Sequence, residues 1–101
     1  MAQNKLHFTK KAVSDLSEIW NYTLTTCSEQ QADEYYSALI SCCQHLLRES
    51  TVLSRTYDKI HEALKGIKCG QHIIFYKKDS SGKVVLIVRI LHERMDLKRY
   101  L

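Results

Sequence analysis

Arg89, His92, Glu93, Arg94, Asp96, Lys98 and Arg99 crowd the end of the chain, directly after a strongly apolar run. An imidazole among carboxylates and guanidinium groups is the raw material of general acid–base chemistry. The same guanidinium groups can instead hold a carboxylate or phosphate through paired N–H donors, with no chemistry of their own. The preceding run, Val84-Val-Leu-Ile-Val-Arg-Ile-Leu91, is broken by Arg89 alone. It reads as a central strand that carries a charged cluster at its C-terminal end, on a rigid element. Within that strand three readings of Arg89 stand open. It pairs with Asp58, Glu62 or another carboxylate, it projects from an exposed face, or it receives a carboxylate or phosphate from outside.

No other set of residues points to chemistry. Cys27, Cys42, Cys43 and Cys69 contain no CxxC spacing, and no two of the five histidines lie four residues apart. Neither a metal nor any other cofactor is expected. In a cytoplasmic protein all four cysteines are expected to be reduced.

The chain's 101 residues suit one small domain, residues 1–101, whose modest core would lean on a partner. Its 45% hydrophobic and 26% charged content describes a globular chain rather than a disordered one. No apolar run approaches the ~18 residues of a membrane span. Met1-Ala-Gln-Asn-Lys-Leu6 has no apolar signal core, so a cytoplasmic location without membrane contact is expected. The net charge of +4 is unevenly spread. Residues 1–50 hold four basic and six acidic side chains, a balance of −2, and residues 51–101 hold eleven and five, a balance of +6. A basic half points to an anionic partner, nucleic acid or an acidic protein segment, unless its lysines simply keep a sheet surface solvated.

The elements that must position the cluster follow from caps and periodicity, since the chain has no proline. Leu6 and Phe8 alternate with Lys5 and His7 as a short strand. Thr9 caps a helix with apolar positions Ala12, Val13, Leu16, Ile19, Trp20, Thr23 and Leu24, and Trp20 is expected in the core. Ser28 and Gln31 match a capping box for a second helix carrying Ala32, Tyr35, Tyr36, Leu39, Ile40, Cys43, Leu46 and Leu47. Their short connection makes the two helices an antiparallel hairpin. Residues 50–62 lack a period and read as a loop. Strands follow at Ala63–Lys68, His72–Lys77 and Val84–Leu91, joined by a tight turn at Cys69-Gly70 and a loop at Asp79–Gly82. Of Phe75 and Tyr76, one is expected in the core and the other at the surface, and Tyr76 is the contact candidate. Met95–Leu101 is expected to hold a turn of helix. The result is an α+β fold of order β-α-α-β-β-β, an antiparallel sheet with the N-terminal helical hairpin packed on one face.

Three stretches together carry a family resemblance: His72-Ile-Ile-Phe-Tyr-Lys77, the ending Val88-Arg-Ile-Leu-His-Glu-Arg-Met-Asp96, and the opening Leu6-x-Phe-Thr-x-x-Ala-x-x-Asp-Leu-x-x-Ile-Trp20. They resemble the RelE/ParE superfamily of bacterial toxins, and within it the ParE branch, over essentially the whole chain. The resemblance implies the toxin of a type II toxin–antitoxin system that inhibits DNA gyrase by binding. It implies a ParD-like antitoxin with a DNA-binding N-terminal part and a flexible C-terminal segment that wraps the toxin. DNA would be reached only through that antitoxin, within a toxin–antitoxin hetero-oligomer. On this reading no residue is catalytic. The surface for target or antitoxin is expected to comprise Tyr76, Arg89, His92, Arg94, Met95, Asp96, Lys98 and Arg99. The RelE branch implies a different function, ribosome-dependent mRNA cleavage. There Arg94 would stabilise phosphorane charge and Tyr100 would move a proton or stack on a base, over a basic platform partly supplied by Lys59, Lys65 and Lys68.

Overall fold

The computed structural model describes residues 5–47, 55–56, 63–79 and 83–101. The elements are β1 (Lys5–Phe8), α1 (Lys10–Thr26), α2 (Glu29–His45), β2 (Arg55–Thr56), β3 (Lys65–Cys69), β4 (His72–Lys78), β5 (Val84–His92) and α3 (Leu97–Tyr100). The sheet order is β1-β5-β4-β3-β2. β3 to β5 form the expected antiparallel meander, β2 extends it on the far side of β3, and β1 adds to β5 in parallel, with Phe8 opposite Ile87. β5 therefore has a strand on each side through Ile87 and core on each face, which is why its sequence is apolar almost throughout.

Both helices start where their caps place them. Thr9 Oγ1 accepts from the Ala12 N–H at 3.0 Å and Ser28 Oγ from the Gln31 N–H at 3.1 Å. Each bond satisfies a donor that the first helical turn cannot. Only Cys27 and Ser28 separate α1 from α2. Ala12 and Leu16 of α1, with Leu39, Cys43 and Leu46 around α2, pack on Ile74, Tyr76, Val85, Ile87 and Ile90. The opposite face carries a smaller core of Leu64, Phe75 and Leu91, against which Ile73, Val88 and Leu101 pack.

One irregularity decides which β5 side chains meet the helices. Lys78, Lys77 and Tyr76 pair with Val85, Leu86 and Ile87, but Phe75 pairs with Arg89. Val88 is thus an extra residue, a β-bulge. Strict alternation from Val85 and Ile87 would aim Arg89 at the helices. The bulge places Ile90 there, opposite Ile74, and sets His92 directly across from His72.

Several expectations change. β3 begins at Lys65, because Ala63 sits in a turn with a left-handed φ of 60° that no strand accommodates. Within the expected loop 50–62, Arg55 and Thr56 pair with Gly66 and Lys65. The rest of that stretch, and residues 80–82 of the Asp79–Gly82 loop, lie outside the described residues. Phe75 and Tyr76 are both fully buried, because the sheet has a core on each face, so Tyr76 is not a surface contact. Trp20 is half-buried rather than core, and its Nε1–H donates to Asp33 Oδ1 at 3.0 Å across the hairpin seam. Val13 and Tyr36, assigned to the apolar helix faces, are exposed. The expectation of four reduced cysteines also changes. A disulfide joins Cys42 of α2 to Cys69 at the end of β3, a pairing that spacing along the chain does not reveal. Cys43 is buried and its thiol is pushed up to about 12 by desolvation, whereas Cys27 is exposed.

Candidate functional site

The polar cluster at the end of β5 divides into a structural part and an exposed part. Arg89 belongs to the first. Its Nε and Nη2 donate to Asp15 Oδ2 and Oδ1 at 2.8 and 2.9 Å, and its Nη1 donates to the Tyr100 carbonyl at 2.9 Å. Asp15 is 7% exposed, and its Oδ2 also accepts from the Ile90 N–H at 3.0 Å. The length of β1 dictates this arrangement. β1 stops at Phe8, after which the Thr9 N–H reaches the Ile87 carbonyl and the Thr9 hydroxyl the Val88 carbonyl. Asp15, on the first turns of α1, takes the next N–H of β5. Arg89 then balances the carboxylate, and that hydrogen bond holds the guanidinium above even its usual range. The carboxylate matched to Arg89 is therefore one of the chain's own. Asp58 and Glu62 lie outside the described residues.

Arg94, Met95, Asp96 and Arg99 are exposed, and the Lys98 side chain lies outside the described residues. His92 is half-buried, and its Nδ1 accepts from the Arg94 N–H at 3.1 Å, which fixes the turn after β5 to the strand end. Glu93 reaches back to Lys68 of β3 at 2.8 Å, and this hydrogen bond draws its carboxyl below the ordinary range. Both partners are substantially exposed, so the pair orients the turn more than it stabilises the fold. Tyr100 is 40% exposed. The tail is held by its carbonyl on Arg89 and by Leu101 against the smaller core.

His92 and Tyr100 also line a groove of about 1090 Å³. Burial along the helices explains why it exists. α1 buries Ala12, Asp15 and Leu16 in its first two turns and no residue after them. On α2, apart from Ala32, burial begins only at Leu39. The hairpin tip therefore overhangs the sheet. Tyr22 and Tyr35 of the hairpin, Gly70–His72 of the β3–β4 turn, and Met95 and Tyr100 beyond β5 line the groove.

Tyr35 fastens α2 to that turn. Its hydroxyl accepts from the Gln71 N–H at 3.1 Å and lies 2.6 Å from His72 Nδ1 and 3.4 Å from the Cys69 carbonyl. Gly70 is needed twice over. Its φ is +60°, and a Cβ there would lie 2.8 Å from the Tyr35 ring and hydroxyl. His72 and His92 meet edge to face with centroids 5.3 Å apart. Burial first, and then the neighbouring His92, push His72 below its usual pKa, against smaller opposing effects of Asp15 and Glu93. The Tyr35 hydroxyl and His72 Nδ1 share a hydrogen bond whose direction follows the histidine tautomer.

Tyr35, His72 and Asp15 were not among the expected site residues. A tyrosine on an apolar helix stripe is the faint signal for Tyr35, since its polar tip needs a partner when buried. His72 carried none, because its partner across the strands depends on the bulge. Among the described residues no group of three or more His, Cys, Asp or Glu side chains could hold a metal ion, and no helix is long and apolar enough to cross a membrane.

A helical hairpin laid on a mixed sheet is a fold shared with solved chains of toxin–antitoxin systems. A chain of the chromosomal ParDE toxin–antitoxin system from P. aeruginosa superposes with a TM-score of 0.75 at 15% identity, over 89% of this chain and 96% of that one. A chain of the toxin–antitoxin complex RelBE2 from Mycobacterium tuberculosis gives 0.67 at 17% identity, over 91% and 100%. The family model described as the ParE toxin of the type II toxin–antitoxin system parDE matches residues 6–97. Toxin ParE1 of Mycobacterium tuberculosis is 31% identical over 93 residues, 89% of this chain and 90% of that protein. Toxin ParE1 of Caulobacter vibrioides is 25% identical over 93 residues, 92% and 93% of the two chains. The chain belongs to the ParE family of type II toxin–antitoxin toxins.

Proposed function

We propose that this toxin arrests bacterial growth by binding DNA gyrase in the cytoplasm, without chemistry of its own. A ParD-like antitoxin neutralises it in a hetero-oligomer and makes the only contact with DNA. The family match over residues 6–97 is the observation that carries this reading. The site supports it. Arg94 and Arg99 stand exposed beside Met95 and Asp96, on a turn and short helix anchored by His92 and Arg89. That is a rigid, cationic, partly apolar face suited to docking.

The mRNA-cleaving alternative needs Arg94 and Tyr100 to converge over a basic platform. Tyr100 lines the groove and Arg94 does not. Lys68 is engaged by Glu93, and Lys59 lies outside the described residues. Glu18 and Glu34 line the same groove and would repel RNA phosphates. The deciding experiment is regulated expression in bacteria, followed by a gyrase supercoiling assay and a ribosome-dependent mRNA cleavage assay on the purified protein. Growth arrest with inhibited supercoiling and intact mRNA is expected. Arrest with mRNA loss and normal supercoiling would put the nuclease first.

A further inference from the structure

We propose that the groove under the hairpin tip receives a cationic amphipathic segment of the antitoxin, whose Lys or Arg side chains meet Glu18 and Glu34 while its apolar face covers Tyr22, Met95 and Tyr100. This rests on the toxin–antitoxin reading and adds a sign to it, opposite to the one that the chain's net charge suggests.

The apolar evidence is a coincidence of exposed side chains. Among the described residues the large hydrophobic side chains left exposed are Val13, Tyr22, Tyr36, Met95 and Tyr100. Tyr22, at 70% exposure, Met95, at 42%, and Tyr100 all line this one groove. Tyrosine and methionine are the types enriched in protein interfaces, and clustered exposed apolar groups mark contact surfaces. At about 1090 Å³ the groove has room for several side chains of a peptide segment.

The charge evidence is the inventory of the lining. Among the described residues it holds three carboxylates, Asp15, Glu18 and Glu34, and one guanidinium, Arg89. Asp15 and Arg89 neutralise each other at 2.8 Å, and Arg89 Nη1 donates to the Tyr100 carbonyl. Arg89 exerts a weaker attraction on Glu18. Glu34 accepts from the neutral Gln30 amide at 3.1 Å. Both carboxylates are exposed, one on each helix of the hairpin, and among the described residues no lysine lines the groove. His72, pushed below its usual pKa by burial and then by His92, adds no positive charge in its neutral form. A chain of net charge +4 thus presents a groove of net negative charge, while Arg94 and Arg99 lie outside it. A wholly acidic segment entering there would meet like charge, whereas a segment bearing Lys or Arg would gain two ion pairs that also fix its register.

The test is selection of random peptides of about 15 residues, roughly 22 Å if helical, displayed on phage and panned against the folded protein. Enriched sequences are expected to combine Leu, Ile or Phe with Lys or Arg. A synthetic copy of the strongest binder should shift the NMR signals of Tyr22, Tyr35 and His72. Its affinity should fall about tenfold in a Glu18→Gln/Glu34→Gln double variant, since two rim pairs are lost. Glu29→Gln, at the start of α2 but outside the groove, should leave it unchanged. Enrichment of acidic peptides, binding indifferent to the double variant, or no binder at the groove would each overturn the proposal. So would self-association of the purified chain that the double variant abolishes, which would make a second copy the occupant. The toxin reading fails separately, if regulated expression causes no growth arrest while cationic peptides still enter the groove.

Discussion

Asp15 grips Arg89 through two parallel N–H bonds, and the same guanidinium holds the Tyr100 carbonyl, so one ion pair joins α1, β5 and the C-terminal tail. Both side chains are largely removed from water. Taking away one partner leaves the other charge uncompensated, and Asp15→Asn or Arg89→Gln is expected to cost about 3 kcal/mol or more. Arg89→Lys should recover only part of this, because an ammonium cannot reproduce the paired geometry. Urea denaturation reads the effect directly. An unchanged midpoint in Asp15→Asn would mean that solvent screens the pair.

Leu39 is fully buried where α2 meets the sheet. Leu39→Ala removes apolar contacts and leaves a cavity, with an expected loss of ~2–5 kcal/mol. The same chemical denaturation checks it, and a loss below ~1 kcal/mol would show that the site collapses around the smaller side chain.

Arg94 is exposed on the turn that follows β5. Arg94→Glu is expected to abolish growth inhibition while moving stability by only ~0.5 kcal/mol, as surface changes generally do. Full toxicity of the folded variant would remove the strand end from the working surface. Tyr100→Phe keeps the ring and leaves the backbone carbonyl that serves Arg89. It should be near neutral for a gyrase-binding toxin and strongly damaging for a nuclease that needs the hydroxyl for proton transfer. Growth curves at matched expression, with supercoiling and mRNA assays alongside, separate the two.

His72 should make the fold sensitive to mild acid. Burial and then His92 hold its folded-state pKa below the ordinary value, and its Nδ1 is hydrogen-bonded to the Tyr35 hydroxyl. Between the folded and unfolded pKa values the unfolded chain binds more protons, so stability rises with pH there. The contribution is complete above about pH 6.5, the usual histidine value, and is lost as pH falls from there toward the folded pKa. His72→Gln should flatten that part of the stability–pH curve. Thermal melts at pH 5, 6 and 7.5 would show it, and identical slopes for the two proteins would exclude His72 as the source.

Much of the architecture was legible because it is written in local pattern. The caps at Thr9 and Ser28, the helical spacing through Leu16 and Leu39 and the apolar run of β5 each depend on near neighbours, and each has its expected place in the structure. The motifs around Phe8, Tyr76 and His92 sufficed to identify the superfamily for the same reason. Contacts between distant segments were settled by tertiary packing alone. Asp15 and Arg89 are 74 residues apart, and they meet because β1 ends one residue before the helix cap and leaves a backbone donor of β5 to be satisfied. A single extra residue at Val88 reverses the alternation of β5, so that Ile90 rather than Arg89 enters the core and His92 faces His72. Side-chain period along a strand is a local property. The position of a bulge answers to everything packed on both faces of the sheet, and with it came the meeting of His72 and His92 across the strands.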